Sequence, residues 1–161
     1  MNFENDNNVN EGSVEDVVER YRPELKKLTP YLKWLKSHAS VDVAQAYSNS
    51  ELKSMSFPIY DSNLLAFVKA AQSTNLLDRN YVYVYSRNRL RSYKDELLFI
   101  ERAGITEIDE LSGILSKYIL SGMTKGTVWA EGVNNGVLSS VVNKRNELVE
   151  FWGQGSGASI N

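Results

Sequence analysis

The chain has 161 residues, enough for one domain of ordinary size and too few for two. With 18 Lys and Arg against 20 Asp and Glu, its formal charge of −2 excludes neither a nucleic acid nor an acidic partner. The lack of cysteine excludes disulfides, thiolate metal sites and thiol catalysis, and a single histidine, His38, excludes multi-histidine centres, so no metal or cofactor is expected.

Residues 1–19 hold Glu4, Asp6, Glu11, Glu15, Asp16 and Glu19 and no Lys or Arg, a charge of −6. Within them, 1–12 offer only Phe3 and Val9 as sizeable apolar groups. That surface cannot offset the entropy of ordering, so 1–12 reads as a flexible acidic arm. It lacks the basic and apolar regions of a signal peptide, and a cytoplasmic protein is expected. A helix is expected from Ser13 as N-cap, with Val14, Val17, Val18 and Tyr21 on its apolar side and Pro23 ending or kinking it. Thr29-Pro30 has the form of an N-cap followed by proline at the first helical position, ahead of Tyr31, Leu32, Trp34 and Leu35. His38 falls near the end of that helix, where the dipole favours a cation. A short helix is expected around 41–47. Phe57-Pro58 forces an extended entry, and Asp61 or Ser62 caps a helix carrying Leu64, Leu65, Phe67, Val68 and Ala71.

Residues 81–93 read YVYVYSRNRLRSY. In a strand, Tyr81, Tyr83, Tyr85, Arg87, Arg89, Arg91 and Tyr93 share one face, which suits single-stranded nucleic acid: bases stack on phenols and arginines meet phosphates. In a helix, Tyr81, Tyr85, Asn88 and Ser92 share a side instead. The alternation on the opposite face breaks after Val84, so a short strand near 81–85 running into a helix and one uniform element both remain open.

Glu96 to Arg102 has helical composition, with Gly104 as its stop. Thr106 and Asp109 open the clearest helix, in which Ile108, Leu111, Ile114, Leu115, Tyr118 and Ile119 recur at three- and four-residue spacing; Gly122 ends it. A turn over 122–126 leads to a short helix at Val128–Glu131, broken by Asn134-Asn135-Gly136. The last helix carries Val137, Leu138, Val141, Val142, Leu148, Val149 and Trp152 on one strip and packs on the 108–119 helix. Arg145 interrupts the strip, so it should sit at an edge or pair with an acid. Residues 153–161, rich in Gly and Ser, read as a flexible tail. The expected fold is therefore mostly α: a helical domain over 13–152 with about five to seven helices.

The run GTVWAEGVNNGVLSSVVNKRNEL at 126–148, preceded by LSGILSKYILSG, resembles the C-terminal part of a bacterial and phage-borne family catalogued as a domain of unknown function. Phe57-Pro58-Ile59-Tyr60 with Leu64, Phe67 and Val68 is similar too. The resemblance covers about half the chain, and family members often carry a basic residue and an aromatic where this chain has Ser121 to Lys125. It implies a compact helical domain and no reaction.

No phosphate-binding loop is present: Gly122-Met123-Thr124-Lys125-Gly126 lacks the Gly-Lys-Ser/Thr ending. The longest apolar runs fall far short of the roughly 18 residues of a membrane span. Glu107, Asp109 and Glu110 cluster in a first helical turn, where dipole electrostatics explain them. Three functions follow. A non-catalytic interaction or regulatory module would use the turn-rich patch Met123, Thr124, Lys125, Trp129 and Glu131, with a protein partner. A single-stranded nucleic-acid binder would use the Tyr/Arg segment 81–93. A small enzyme would bring Glu131, Lys125 and His38 together. Homo-oligomerisation would run through the C-terminal helix.

Overall fold

In the computed structural model the backbone is described for residues 3–40, 44–45, 59–125 and 127–158, and side chains for 14–40, 61–125 and 127–154. Among the described residues eight α-helices succeed one another: α1 (Phe3–Lys26), α2 (Leu32–Ser37), α3 (Ser62–Gln72), α4 (Tyr81–Asn88), α5 (Tyr93–Arg102), α6 (Ile108–Ser121), α7 (Thr127–Asn134) and α8 (Val137–Ala158). Between α2 and α3, β1 (Ala44–Gln45) pairs antiparallel with β2 (Ile59–Tyr60), Ala44 opposite Tyr60. The mostly α reading holds.

The core sits on α6 and α8, as their periodicity dictates. Leu111, Ile114, Leu115 and Ile119 of α6 meet Val137, Leu138, Val141 and Val142 of α8, all fully buried. Each such side chain contributes roughly 1.5–3 kcal/mol of burial. A second cluster joins Val18, Tyr21 and Leu25 of α1 to Ile108 and Val149. Asp61 caps α3, accepting from Asn63 N at 2.7 Å, and Gly122 closes α6, both as expected. Among the described residues, no helix is long and apolar enough to cross a membrane.

Several local readings are corrected. Helix α1 starts at Phe3, upstream of Ser13 and inside the stretch read as an arm, and it passes through Pro23 to Lys26. Helix α8 likewise runs on to Ala158, into the stretch read as a tail. A helix nucleated by packing extends cheaply into residues that could not start one, which is why composition misplaces both ends. Thr29 lies inside a 3-10 turn, Thr29–Tyr31, whose N-cap is Leu28 with no side-chain bond. Of the helix expected at 41–47, residues 44–45 are a strand and the rest lie outside the described residues, as do Phe57, Pro58 and Gly126. Trp152 is exposed and Leu148 half-buried, so the apolar strip of α8 fades beyond Val149.

Residues 81–88 form a helix, and no strand occurs at 81–85. The partner decides this: Val84 is buried against Gly113 of α6, where an added Cβ would lie 2.7 Å from a Val84 methyl. Only glycine lets α4 approach that closely, and tertiary packing overrides the strand propensity of Tyr and Val.

Arg145 is the largest departure. It neither reaches an edge nor meets an acid, but is 0% exposed in the middle of α8. Its Nη1 donates to Ser112 Oγ at 2.9 Å, and its guanidinium carbon lies 6.0 Å from the Tyr21 ring centre. Nε and Nη2 have no partner among the described residues. The nearest negative charge in this chain of contacts is relayed: Ser112 Oγ is 2.9 Å from Tyr21 OH, which donates to Asp109 at 2.5 Å. Asp109 also pairs with Arg20 at 2.6 Å, at the exposed end of the relay. Burial lowers the Arg145 pKa to about 10, opposed by the Tyr21 phenol. A buried cation satisfied at one nitrogen costs more than an apolar side chain of similar length. Arg145→Met should therefore raise the unfolding free energy by about 1–4 kcal/mol in denaturant titration. A loss of about 1 kcal/mol or more would show that the guanidinium is better satisfied than its contacts indicate.

Candidate functional site

The chain reverses between α4 and α5 through Arg89, whose φ of 53° is left-handed, and Ser92 then caps α5 by accepting from Asp95 N at 3.4 Å. This turn sets Glu96 in the first turn of α5 with its carboxylate facing inward, 2% exposed. Tyr85 of α4 donates to Glu96 Oε2 in a short hydrogen bond, and Tyr118 of α6 donates to Oε1 at 2.6 Å. Asn135 continues the network: its Nδ2 donates to Tyr118 OH at 3.1 Å, while its Oδ1 accepts from Val137 N at 2.9 Å and so starts α8. Lys117 Nζ lies 3.9 Å from Glu96 Oε2, 4.2 Å from the Tyr118 ring centre and 5.6 Å from that of Tyr85. Above these groups opens a cleft of about 400 Å³, rimmed by Arg91, Ser92, Tyr93 and Glu131.

The cleft draws on both candidate sets without reproducing either. From the Tyr/Arg segment it takes Tyr85, Arg91 and Tyr93; from the turn-rich patch it takes Glu131. Tyr81 packs edge-on against Tyr85 at 6.5 Å, while Tyr83 points outward, 65% exposed. Arg87 pairs with Glu110 at 3.4 Å, and Arg89 lines a separate cleft with Leu98 and Arg102. The single shared face of seven residues does not form, because α4 is a helix. Met123, Thr124 and Lys125 are exposed on the turn after α6. Trp129 is half-buried, its Nε1 donating to Ile119 O at 3.0 Å, and so buttresses that turn. Lys125 and His38 are not among the residues lining the Glu96 cleft. His38 ends α2, stacked on Trp34 at 4.5 Å with Nδ1 2.9 Å from Trp34 O. Glu96, Lys117, Tyr118 and Asn135 escaped the sequence reading as site residues. Glu96 looks like an acid placed for the helix dipole, and Tyr118 reads as core; only their meeting in space gives them a role.

Chemically the network is closed. Burial first, then the charge of Glu96, pushes the Tyr85 phenol far above its ordinary range, and burial and the bond to Glu96 do the same for Tyr118. Both phenols are thus fixed as donors at neutral pH. Tyr21, buried and bonded to Asp109, is pushed up to about 12. Among the described residues, no group of three or more His, Asp or Glu is placed to hold a metal ion. No family model, curated protein or solved structure matches this chain.

The three raised phenols make stability depend on alkaline pH. A phenol with a raised native pKa gives stability that is complete below its unfolded value near 10 and is lost as pH climbs through the native value. Arg145, lowered to about 10, acts in the opposite sense over the same range, one group against three. Stability should therefore fall above about pH 10. In a phenolate titration Tyr21, Tyr85 and Tyr118 should ionise only together with the loss of helical circular dichroism. Reversible ionisation of all 9 tyrosines with helicity intact would contradict this.

Proposed function

We propose that the protein is a non-catalytic interaction module, engaging a protein segment where the turn after α6 meets the start of α4. The observation that carries the reading is a cleft of about 410 Å³ walled by Leu77, Leu120 and Met123, with Arg79 and no carboxylate in its lining. Met123 is 59% exposed, and Val82 and Tyr83 of α4, three and four residues after Arg79, stand out to solvent. Tyr, Met and Arg are the residue types enriched where proteins meet, and a lining with one cation and no acid suits a partner with apolar and acidic side chains. The closed Glu96 network supports the non-catalytic part: both carboxylate oxygens are taken up, and the phenols that take them stay protonated. The likeness of 57–68 and 111–148 to a helical family without an assigned reaction, and a cytoplasmic setting for a chain without cysteine, belong to the same proposal.

Nucleic acid is the competing occupant. Residues 79–94 hold five cations and no acid, and Arg79, Arg89, Arg91 and Lys94 are exposed with no side-chain partner among the described residues. Arg79, Arg89 and Arg91 line three different clefts, however, which favours a protein segment over a strand needing one continuous track.

Crosslinked capture by the immobilised chain, with and without nuclease, separates these readings. Met123→Asp and Tyr83→Ser should keep the Tm and weaken capture about tenfold, while Phe151→Ser, another exposed aromatic, should leave it unchanged. Capture abolished by nuclease would transfer the surface to nucleic acid. Capture lost only in Phe151→Ser would move it to the end of α8, the oligomer seam expected from the sequence. Undiminished capture by all three variants would overturn the assignment.

A further inference from the structure

We propose that the Glu96 cleft binds a small zwitterion of amino-acid size, its carboxylate on Arg91 and its ammonium on Glu131. Four charged side chains line this cleft: Arg91, Glu96, Lys117 and Glu131. Two of them offset each other inside it, since Lys117 Nζ lies 3.9 Å from Glu96 Oε2 and over the Tyr118 ring. The other two do not. Arg91 comes from the link between α4 and α5 and Glu131 from α7; both are exposed, and neither side chain has a hydrogen-bond or ion-pair partner among the described residues. They share one cavity without forming an ion pair with each other. A cavity holding one unmatched cation and one unmatched anion is complementary to a ligand that carries one of each.

The walls fit the same ligand. Tyr85, Tyr93 and Tyr118 line the cleft. An aromatic face attracts an ammonium, and a guanidinium grips a carboxylate through two parallel hydrogen bonds. A volume of about 400 Å³ lies within the range of small-molecule sites. The floor is already rigid, because Glu96 and both phenols are bonded to one another, so little ordering would oppose binding. This site is separate from the surface at Met123, and either can fail without the other.

Calorimetry and thermal shift on the full chain test the proposal with L-phenylalanine, L-leucine and L-arginine as probes. Phenethylamine and 3-phenylpropionate supply the single-ended controls. At least one amino acid should bind, and the matching single-ended compounds should bind about tenfold more weakly or not at all. Arg91→Gln and Glu131→Gln should each weaken amino-acid binding about tenfold while leaving the Tm of the free protein unchanged. Lys125→Gln, outside the cleft, should bind as the wild type does. The proposal is overturned if no amino acid binds at about 10 mM, if a single-ended control binds as tightly, or if both Gln variants bind like the wild type.

Discussion

One buried carboxylate organises the half of the molecule that carries the cleft. Taking an ionised glutamate out of water costs several kcal/mol unless its oxygens are bonded and its charge is matched. Glu96 meets that demand by drawing on three other elements: Tyr85 from α4, Tyr118 and Lys117 from α6 and, through Tyr118, Asn135 from the turn that starts α8. The positions of α4, α5 and α6 around the cleft are thus tied to a single anion. Each of its two oxygens accepts from a phenol that burial keeps protonated at neutral pH.

Arg145 is the contrasting case. It is buried as deeply as Glu96, in the packing of α1, α6 and α8, yet one nitrogen is bonded and the balancing charge arrives only through Ser112, Tyr21 and Asp109. The two buried charges divide the molecule. One end closes a polar network around an anion; the other holds a cation at a cost that the surrounding apolar packing offsets.

Much of this fold was legible in the sequence where burial and periodicity agree. Helices α6 and α8, the stop at Gly122 and the cap at Asp61 follow from local spacing and capping chemistry alone. The two largest failures, at α4 and at Arg145, share a cause, which is distance along the chain. Whether 81–88 is helix or strand depends on Gly113, which admits Val84 only if α4 lies close on α6. The edge expected for Arg145 assumed that a charge must leave an apolar strip, and nothing nearby in sequence announces Ser112. The site was legible only in fragments. Tyr85, Arg91 and Glu131 stand out by composition, but the sequence pattern sets them on different surfaces. Glu96 and Tyr118, which join them, carry no signal except one that a dipole or a core explains equally well.

The central claim is that Glu96 is a structural clamp held by phenol donors. A double-mutant cycle in denaturant unfolding, with Glu96→Gln, Tyr118→Phe and the double variant, measures it most directly. A hydrogen bond to a buried charge should give a coupling energy of about 1.5–3 kcal/mol between the two positions. A coupling below about 0.5 kcal/mol, with each single variant nearly as stable as the wild type, would contradict the clamp and return Glu96 to the set of groups free to act on a ligand.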